Sequence, residues 1–184
     1  MTAHRTPQVH DQLQTDLRRA AELVREVPDF PEPGVLFRDI APVLADGDAF
    51  AAVVSGLAEG HAFDAVAGVE ARGFLLGAAV ARAFGTGVIG LRKPGKLPAV
   101  ADRVEYTLEY GSAALELPSE TLGAGQRVLV VDDVLATGGT IGAACSLVRR
   151  SGAEVAGTSV VLELTALEGR ARMPGEEVRA LFAV

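Results

Sequence analysis

Two adjacent aspartates, Asp132 and Asp133, follow four apolar residues, Val128, Leu129, Val130 and Val131. They precede a run of small and hydroxyl residues, Ala136, Thr137, Gly138, Gly139 and Thr140. A carboxylate pair at a strand end accepts hydrogen bonds, and the vicinal hydroxyls of a sugar supply two donors for short, charge-assisted bonds. Successive N–H groups of a tight turn cradle a phosphate, and a helix that follows adds partial positive charge at its N-terminus. Gly138 and Gly139 permit close approach, and Thr137 and Thr140 add hydroxyl donors. The combination suits the grip of a phosphorylated sugar. Each half alone has a plainer reading, a capped strand end for the acids and an ordinary strand-to-helix turn with a Thr N-cap for the loop. Their adjacency favours a ligand.

Further charged groups fall at comparable places. Glu70, Ala71, Arg72 and Gly73 follow an apolar stretch over 64–69, where backbone amides and Arg72 suit a second anion. Taken alone, Arg72 is as readily a surface charge. Arg92, Lys93 and Lys96 put three cations within five residues of an otherwise acidic chain. The loop at 136–140 is not a Walker loop, because no Gly-Lys-Ser/Thr follows. A formal G-x-G-x-x-G at 85–90 leads out of a predicted helix into a predicted strand, the reverse of the dinucleotide fingerprint, and is a decoy. His4, His10 and His61 have no zinc-ligand spacing.

The elements that must hold these groups alternate. Leu13, Leu17, Ala20, Ala21, Val24 and Val27 share one face of a helix ended by Pro28. The segment 29–42 carries three prolines and a glycine, and reads as an irregular, ordered loop. A helix over 49–59, a strand over 64–69, a helix over 73–84 and a strand over 88–91 follow, and the last three make a βαβ crossover. Residues 104–110 and 113–117 read as hairpin arms. A strand over 128–131, a helix over 139–150 stopped by Gly152, a strand over 155–164 and a last one over 178–184 complete the chain. The expected fold is α/β: a doubly wound, mostly parallel central sheet with helices on both faces. In such sheets ligands bind beyond the carboxyl ends of the strands.

The 184 residues, 49% of them hydrophobic, suffice for one domain with a substantial core. We expect a disordered tail over 1–10 and a single domain over 11–184. No apolar run is long enough for a membrane span, and the polar start lacks the apolar core of a secretory signal. A lone thiol, Cys145, fits a reducing cytoplasm and excludes an internal disulfide framework. A net charge of −7 argues against a general binder of nucleic acid or anionic membrane.

The motifs FPEPGVLFRDIAP, VEARGF, RKPGKLP, YTLEYG, VLVVDDVLATGGT and LELTAL, in that order along the chain, resemble the type I phosphoribosyltransferases, and FRDI with LEYG resembles the branch that uses adenine. The resemblance runs from about residue 29 to 167. It implies transfer of the 5-phosphoribosyl group of phosphoribosyl pyrophosphate (PRPP) to adenine, giving AMP and pyrophosphate. It further implies a small N-terminal hood, mainly 11–45, and a mobile β-hairpin loop whose segment 99–104 is more apolar at its start than the family pattern. Asp132, Asp133 and 136–140 would hold the phosphoribosyl group. Glu70, Ala71, Arg72, Gly73, Arg92, Lys93, Lys96 and Tyr110 would hold pyrophosphate. Val35, Phe37, Arg38 and Leu164 would hold adenine, with Phe37 on one ring face and Leu164 on the other. Glu109 would be the acid/base group. On the residues alone, Phe37 reads equally as core packing and Glu109 as a solvated strand residue. Mg²⁺ would arrive bound to PRPP with no direct protein ligand, and Arg92 would reach into a partner's site in a homodimer. Two other readings are a PRPP-sensing regulator of the same fold, which would need a basic face or nucleic-acid module, and an enzyme for another purine.

Overall fold

The structure, a computed structural model, describes residues 7–107 and 112–184. The chain forms two compact units, Met1–Gly56 and Leu57–Val184. In the first, α1 (Pro7–Glu22) begins within the stretch expected to be a tail. It buries Leu13, Leu17 and Ala20, one stripe at helical spacing. The helix stops earlier than its apolar face suggested. Arg25–Pro28 is a strand, β1, antiparallel to β2 (Leu36–Asp39), with Val27 opposite Phe37. The expected loop over 29–42 therefore contains a strand. Val24 and Val27 are β-branched and favour extended backbone, and the partner strand lies beyond a Pro-rich turn that helical periodicity does not register. Next come α2 (Ala41–Ala45) and α3 (Gly47–Ala58), which carries the chain into the second unit. Asp46 caps α3 by accepting the Ala49 N–H at 2.9 Å.

The second unit is built on β3 (Ala65–Val69), α4 (Arg72–Phe84), β4 (Gly87–Leu91), β7 (Arg127–Leu135), α5 (Gly139–Arg150), β8 (Glu154–Glu163) and β9 (Val178–Ala183). Its sheet runs β4-β3-β7-β8-β9, and every neighbouring pair is parallel. The strands are apolar on both faces, as a sheet covered on both sides requires. All five residues of β3 are buried. From β3 the chain steps outward to β4, then returns to the other side of β3 with β7. The strand order thus reverses between β3 and β7, and a crevice opens beyond their carboxyl ends.

One face of the sheet carries α5. Val128 and Val130 pack there with Ile141, Ala144, Leu147 and Val148 in a single core. The hairpin β5 (Val100–Thr107) and β6 (Ser112–Pro118) adds Leu115 and Leu117 to it. Cys145 is fully buried in the same core, where burial pushes its thiol up to about 11. The segment expected to be a mobile loop over 99–104 is, from Val100 onward, part of β5. Asp102, Arg103 and Val104 face Leu117, Glu116 and Leu115 across the hairpin. Their partners lie more than ten residues further on, so a local reading of 99–104 misses the pairing.

The other face carries α4, brought close by glycines. A Cβ on Gly68 of β3 would lie 2.6 Å from the Gly73 carbonyl oxygen, and one on Gly77 of α4 would lie 3.1 Å from the Gly68 Cα. The helix backbone rests on the strand backbone with no side chain between. Gly85, at φ +71, ends α4 in the left-handed conformation and leads into β4, so the G-x-G-x-x-G there is a helix-to-strand turn, as expected. Gly68→Ala is expected to lower stability by about 1–3 kcal/mol, the usual cost of overpacking. Urea denaturation followed by circular dichroism checks it, and an unchanged midpoint would refute the close contact.

Candidate active site

The crevice beyond β3 and β7 is a cleft of about 420 Å³, within the usual size of small-molecule sites. Its floor is the carboxyl end of β7. The strand does not stop before the acids, as the sequence reading had it, but runs through Asp132 and Asp133 to Leu135. Both carboxylates are therefore fixed by ladder pairing to β8, and they are only 6% and 5% exposed. Asp132 Oδ1 accepts the Asp133 N–H at 2.8 Å. Asp133 Oδ2 faces the Arg72 Nε at 2.8 Å. A Cβ on Gly73 would lie 2.9 Å from Asp132 Oδ1, so the glycine clears space for that carboxylate.

The loop 136–140 forms the second wall. Gly138 has φ +84, a conformation L side chains rarely adopt, and stands at the N-terminus of α5. No acidic residue lies in the first turn of α5, and its N-cap, Gly138, offers no capping side chain. Its leading N–H groups are thus left for an anion. Thr140 Oγ1 donates to the Tyr106 hydroxyl at 3.2 Å, and Tyr106 itself lines the cleft.

The third wall is 70–72 with Lys93. The Glu70–Ala71 peptide is cis. Glu70 Oε2 accepts the Lys93 N–H at 2.9 Å and faces Arg92 Nε at 3.4 Å. The Lys93 amide is the first cause holding the Glu70 carboxyl below its usual range, and the Arg92 charge adds to it. Glu70 thus organises the basic segment; its own charge is wrong for direct contact with an anion.

Of the residues proposed from sequence, the cleft brings together Glu70, Ala71, Arg72, Lys93, Asp132, Asp133 and 136–140. Gly73 sits just behind them. Arg92 points at Glu70 and lies over the Phe74 ring at 5.8 Å, and Lys96 contributes its carbonyl to Arg92. Neither lines the cleft, and neither does Leu164, which follows β8 and donates its N–H to the Leu135 carbonyl. Glu109 and Tyr110 lie outside the described residues. In the first unit, Val35 accepts from the Phe30 N–H and donates to the Glu32 carbonyl. Phe37 meets Phe30 edge-on at 5.1 Å, and Arg38 pairs with Glu26. Tyr106 was missed. Its hairpin alternation marks it only as a strand residue, and its partner Thr140 is 34 positions away.

Residues 41–179 match the phosphoribosyl transferase domain, and the chain belongs to the phosphoribosyltransferase family. It is 72% identical over 174 residues to the adenine phosphoribosyltransferase of Saccharopolyspora erythraea, covering 95% of this chain and 96% of that one. Its fold is similar to the crystal structure of adenine phosphoribosyltransferase from Thermoanaerobacter pseudethanolicus, with a TM-score of 0.87, 44% identity and coverage of 91% and 99%. The Saccharomyces cerevisiae enzyme, crystallised with an imino-altritol bisphosphate and adenine, superposes with a TM-score of 0.84 at 32% identity, covering 91% and 98%. Within its family the chain stands among the adenine phosphoribosyltransferases.

Both acids titrate above the usual aspartate range. Burial is the largest cause for each; the Asp133 charge adds to it at Asp132, and Arg72 opposes it at Asp133. In the unfolded chain both return to about 4. The folded protein therefore binds extra protons above that value, and stability falls as pH rises through the window up to the raised pKa. The cost is carried in full above that window. Asp132→Asn keeps the acceptor for the Asp133 N–H and removes one charge. The unliganded variant is expected to be more stable than the parent at pH 7 by about 1 kcal/mol or more, with the gain fading as pH falls toward 4. Calorimetric melting across that range checks it; a variant that melts below the parent at pH 7 contradicts the burial cost.

Proposed function

We propose that this protein transfers the 5-phosphoribosyl group of PRPP to adenine, releasing AMP and pyrophosphate. The observation that carries this reading is the adjacency in one cleft of a buried carboxylate pair and an uncapped, acid-free helix N-terminus. The first accepts hydrogen bonds from vicinal hydroxyls, and the second receives the 5′-phosphate. Together they fix a phosphoribosyl group at both ends. As pyrophosphate leaves the anomeric carbon, positive charge builds on the sugar, and two nearby carboxylates favour it. Arg72 and Lys93 line the same cleft and would neutralise the departing negative charge.

In this reading Val35, Phe37 and Arg38 hold adenine, with Leu164, and Glu109 manages the purine proton. An amino group on the base suits a fixed acceptor, whereas guanine and hypoxanthine would set a carbonyl against it. The metal is Mg²⁺ carried by PRPP. Such an ion keeps its waters and the substrate's phosphate oxygens as ligands. When bound it supplies charge neutralisation to the pyrophosphate. No described helix is long and apolar enough to cross a membrane. A homodimer in a reducing cytoplasm completes the proposal.

The deciding experiment measures AMP formation from PRPP with adenine, guanine, hypoxanthine and xanthine offered separately. Turnover with adenine alone is expected. Asp132→Asn together with Asp133→Asn should lower turnover about a hundredfold or more, since each charge-assisted bond to a hydroxyl is worth about 1.5–3 kcal/mol. Near-parental turnover in that double variant would remove the sugar-clamp role. Phe37→Ala should raise the KM for adenine about tenfold, the scale of one lost aromatic contact, and leave the KM for PRPP unchanged. Equal losses for both substrates would point instead to general damage.

A further inference from the structure

The loop 136–140 is supported from behind by a segment about thirty residues downstream. After β8 the chain makes two 3-10 turns, Thr165–Leu167 and Gly169–Arg172. Gly169 is buried against the loop. A Cβ on Gly169 would lie 2.3 Å from the Ala136 carbonyl oxygen and 3.0 Å from the Leu135 side chain. Reciprocally, a Cβ on Gly138 would lie 2.6 Å from the Gly169 carbonyl oxygen and 3.1 Å from the Met173 Cγ. Two backbones meet here with no side chain between them, and Met173, 6% exposed, fills the remaining space under Gly138. Gly169 is not in the left-handed region, whereas Gly138 is. Glycine at 169 therefore answers a demand for space and not for conformation.

The turn is itself fastened. Arg170 forks onto the Glu163 carboxylate at the end of β8, with Nε and Nη2 each within 2.7 Å of an oxygen. Its Nη1 donates to the Val178 carbonyl at the start of β9. Bidentate pairing of this kind sets direction as well as distance. The ends of two sheet strands thus fix the turn, and the turn fixes the loop.

We infer that the segment 169–173 is a positioning element for the phosphoryl group, and that Gly169 sets the affinity for it by deciding where the Ala136 carbonyl stands. The inference rests on the assignment of 136–140 as the 5′-phosphate site. A methyl group at 169 pushes Ala136 away by at least about half an ångström. N–H groups that converge on one oxyanion lose their common focus under such a shift, and misplacement of that order costs one to two decades in binding or rate. The ribose and the base are assigned to other residues, so the shift falls first on the phosphoryl contact.

The experiment compares AMP with adenosine, ligands that differ only in the phosphoryl group. Dissociation constants come from calorimetry on the intact protein, and KM values for PRPP and adenine are measured alongside. In Gly169→Ala, AMP binding is expected to weaken tenfold or more with adenosine unchanged. The KM for PRPP should rise in step and the KM for adenine stay within twofold. Arg170→Ala, which loosens the fastening without adding an atom at 169, should move the AMP-to-adenosine ratio the same way by about threefold. A folded Gly169→Ala protein that keeps the parental ratio overturns the inference, as does equal weakening of both ligands. If Gly169→Ala does not fold, the ratio in Arg170→Ala decides on the same terms. If the parent binds adenosine as tightly as AMP, the phosphate assignment of 136–140 fails and this inference falls with it.

Discussion

Two carboxylates are held out of water, side by side in sequence, inside the central strand of a parallel sheet. Burial opposes their ionisation and their mutual repulsion adds to the cost. A strand interior would ordinarily exclude such a pair. It persists because β7, whose pairing to β3 ends at Val131, stays paired to β8 through Asp132 to Leu135 and so holds the backbone of the acids in the sheet. Arg72 returns part of the cost at Asp133, and the Asp133 amide does so at Asp132. A bound sugar would supply the hydroxyl donors that satisfy the rest. The unliganded protein is thus less stable than it could be, in exchange for a binding surface already in place.

Backbone proximity is the second device. Helix α4 rests on β3 through Gly68 and Gly77, which brings 70–73 over the end of β7. The loop 136–140 rests on the turn at 169 through Gly138 and Gly169. In both places a missing Cβ lets main chain meet main chain, and main chain is stiffer than any side chain that could replace it. The N–H groups at the start of α5 inherit that stiffness, which is what a preorganised site would require. The hairpin contributes a softer restraint, a hydroxyl–hydroxyl contact from Tyr106 to Thr140.

Much of this was legible in the residues. The strand–helix alternation of the second unit, the extent of α5 and the decoy nature of the glycines at 85–90 all follow from local pattern. So does the grouping of Asp132, Asp133, Arg72 and 136–140, because each lies at the end of an apolar run and α/β sheets collect such ends. What failed was long-range pairing. Val27 continued a helical stripe and is a strand residue opposite Phe37. Residues 100–104, expected in a mobile β-hairpin loop, form part of one hairpin arm opposite 115–118, a register that local pattern does not reveal. The contact between Arg92 and Glu70, 22 positions apart, is likewise invisible to local pattern.

By itself, then, the order of residues determined the chemistry on offer: an acid pair, an uncapped helix start and a basic segment, each tied to a local element whose period can be counted. Tertiary structure decided which of those groups share a cleft, and which glycines matter because backbone lies against them. The reason is physical. Periodicity and turn chemistry act over a few residues, whereas the Gly138–Gly169 contact, the Tyr106–Thr140 contact and the turning of Arg92 onto Glu70 exist only once strands far apart in the chain are laid side by side.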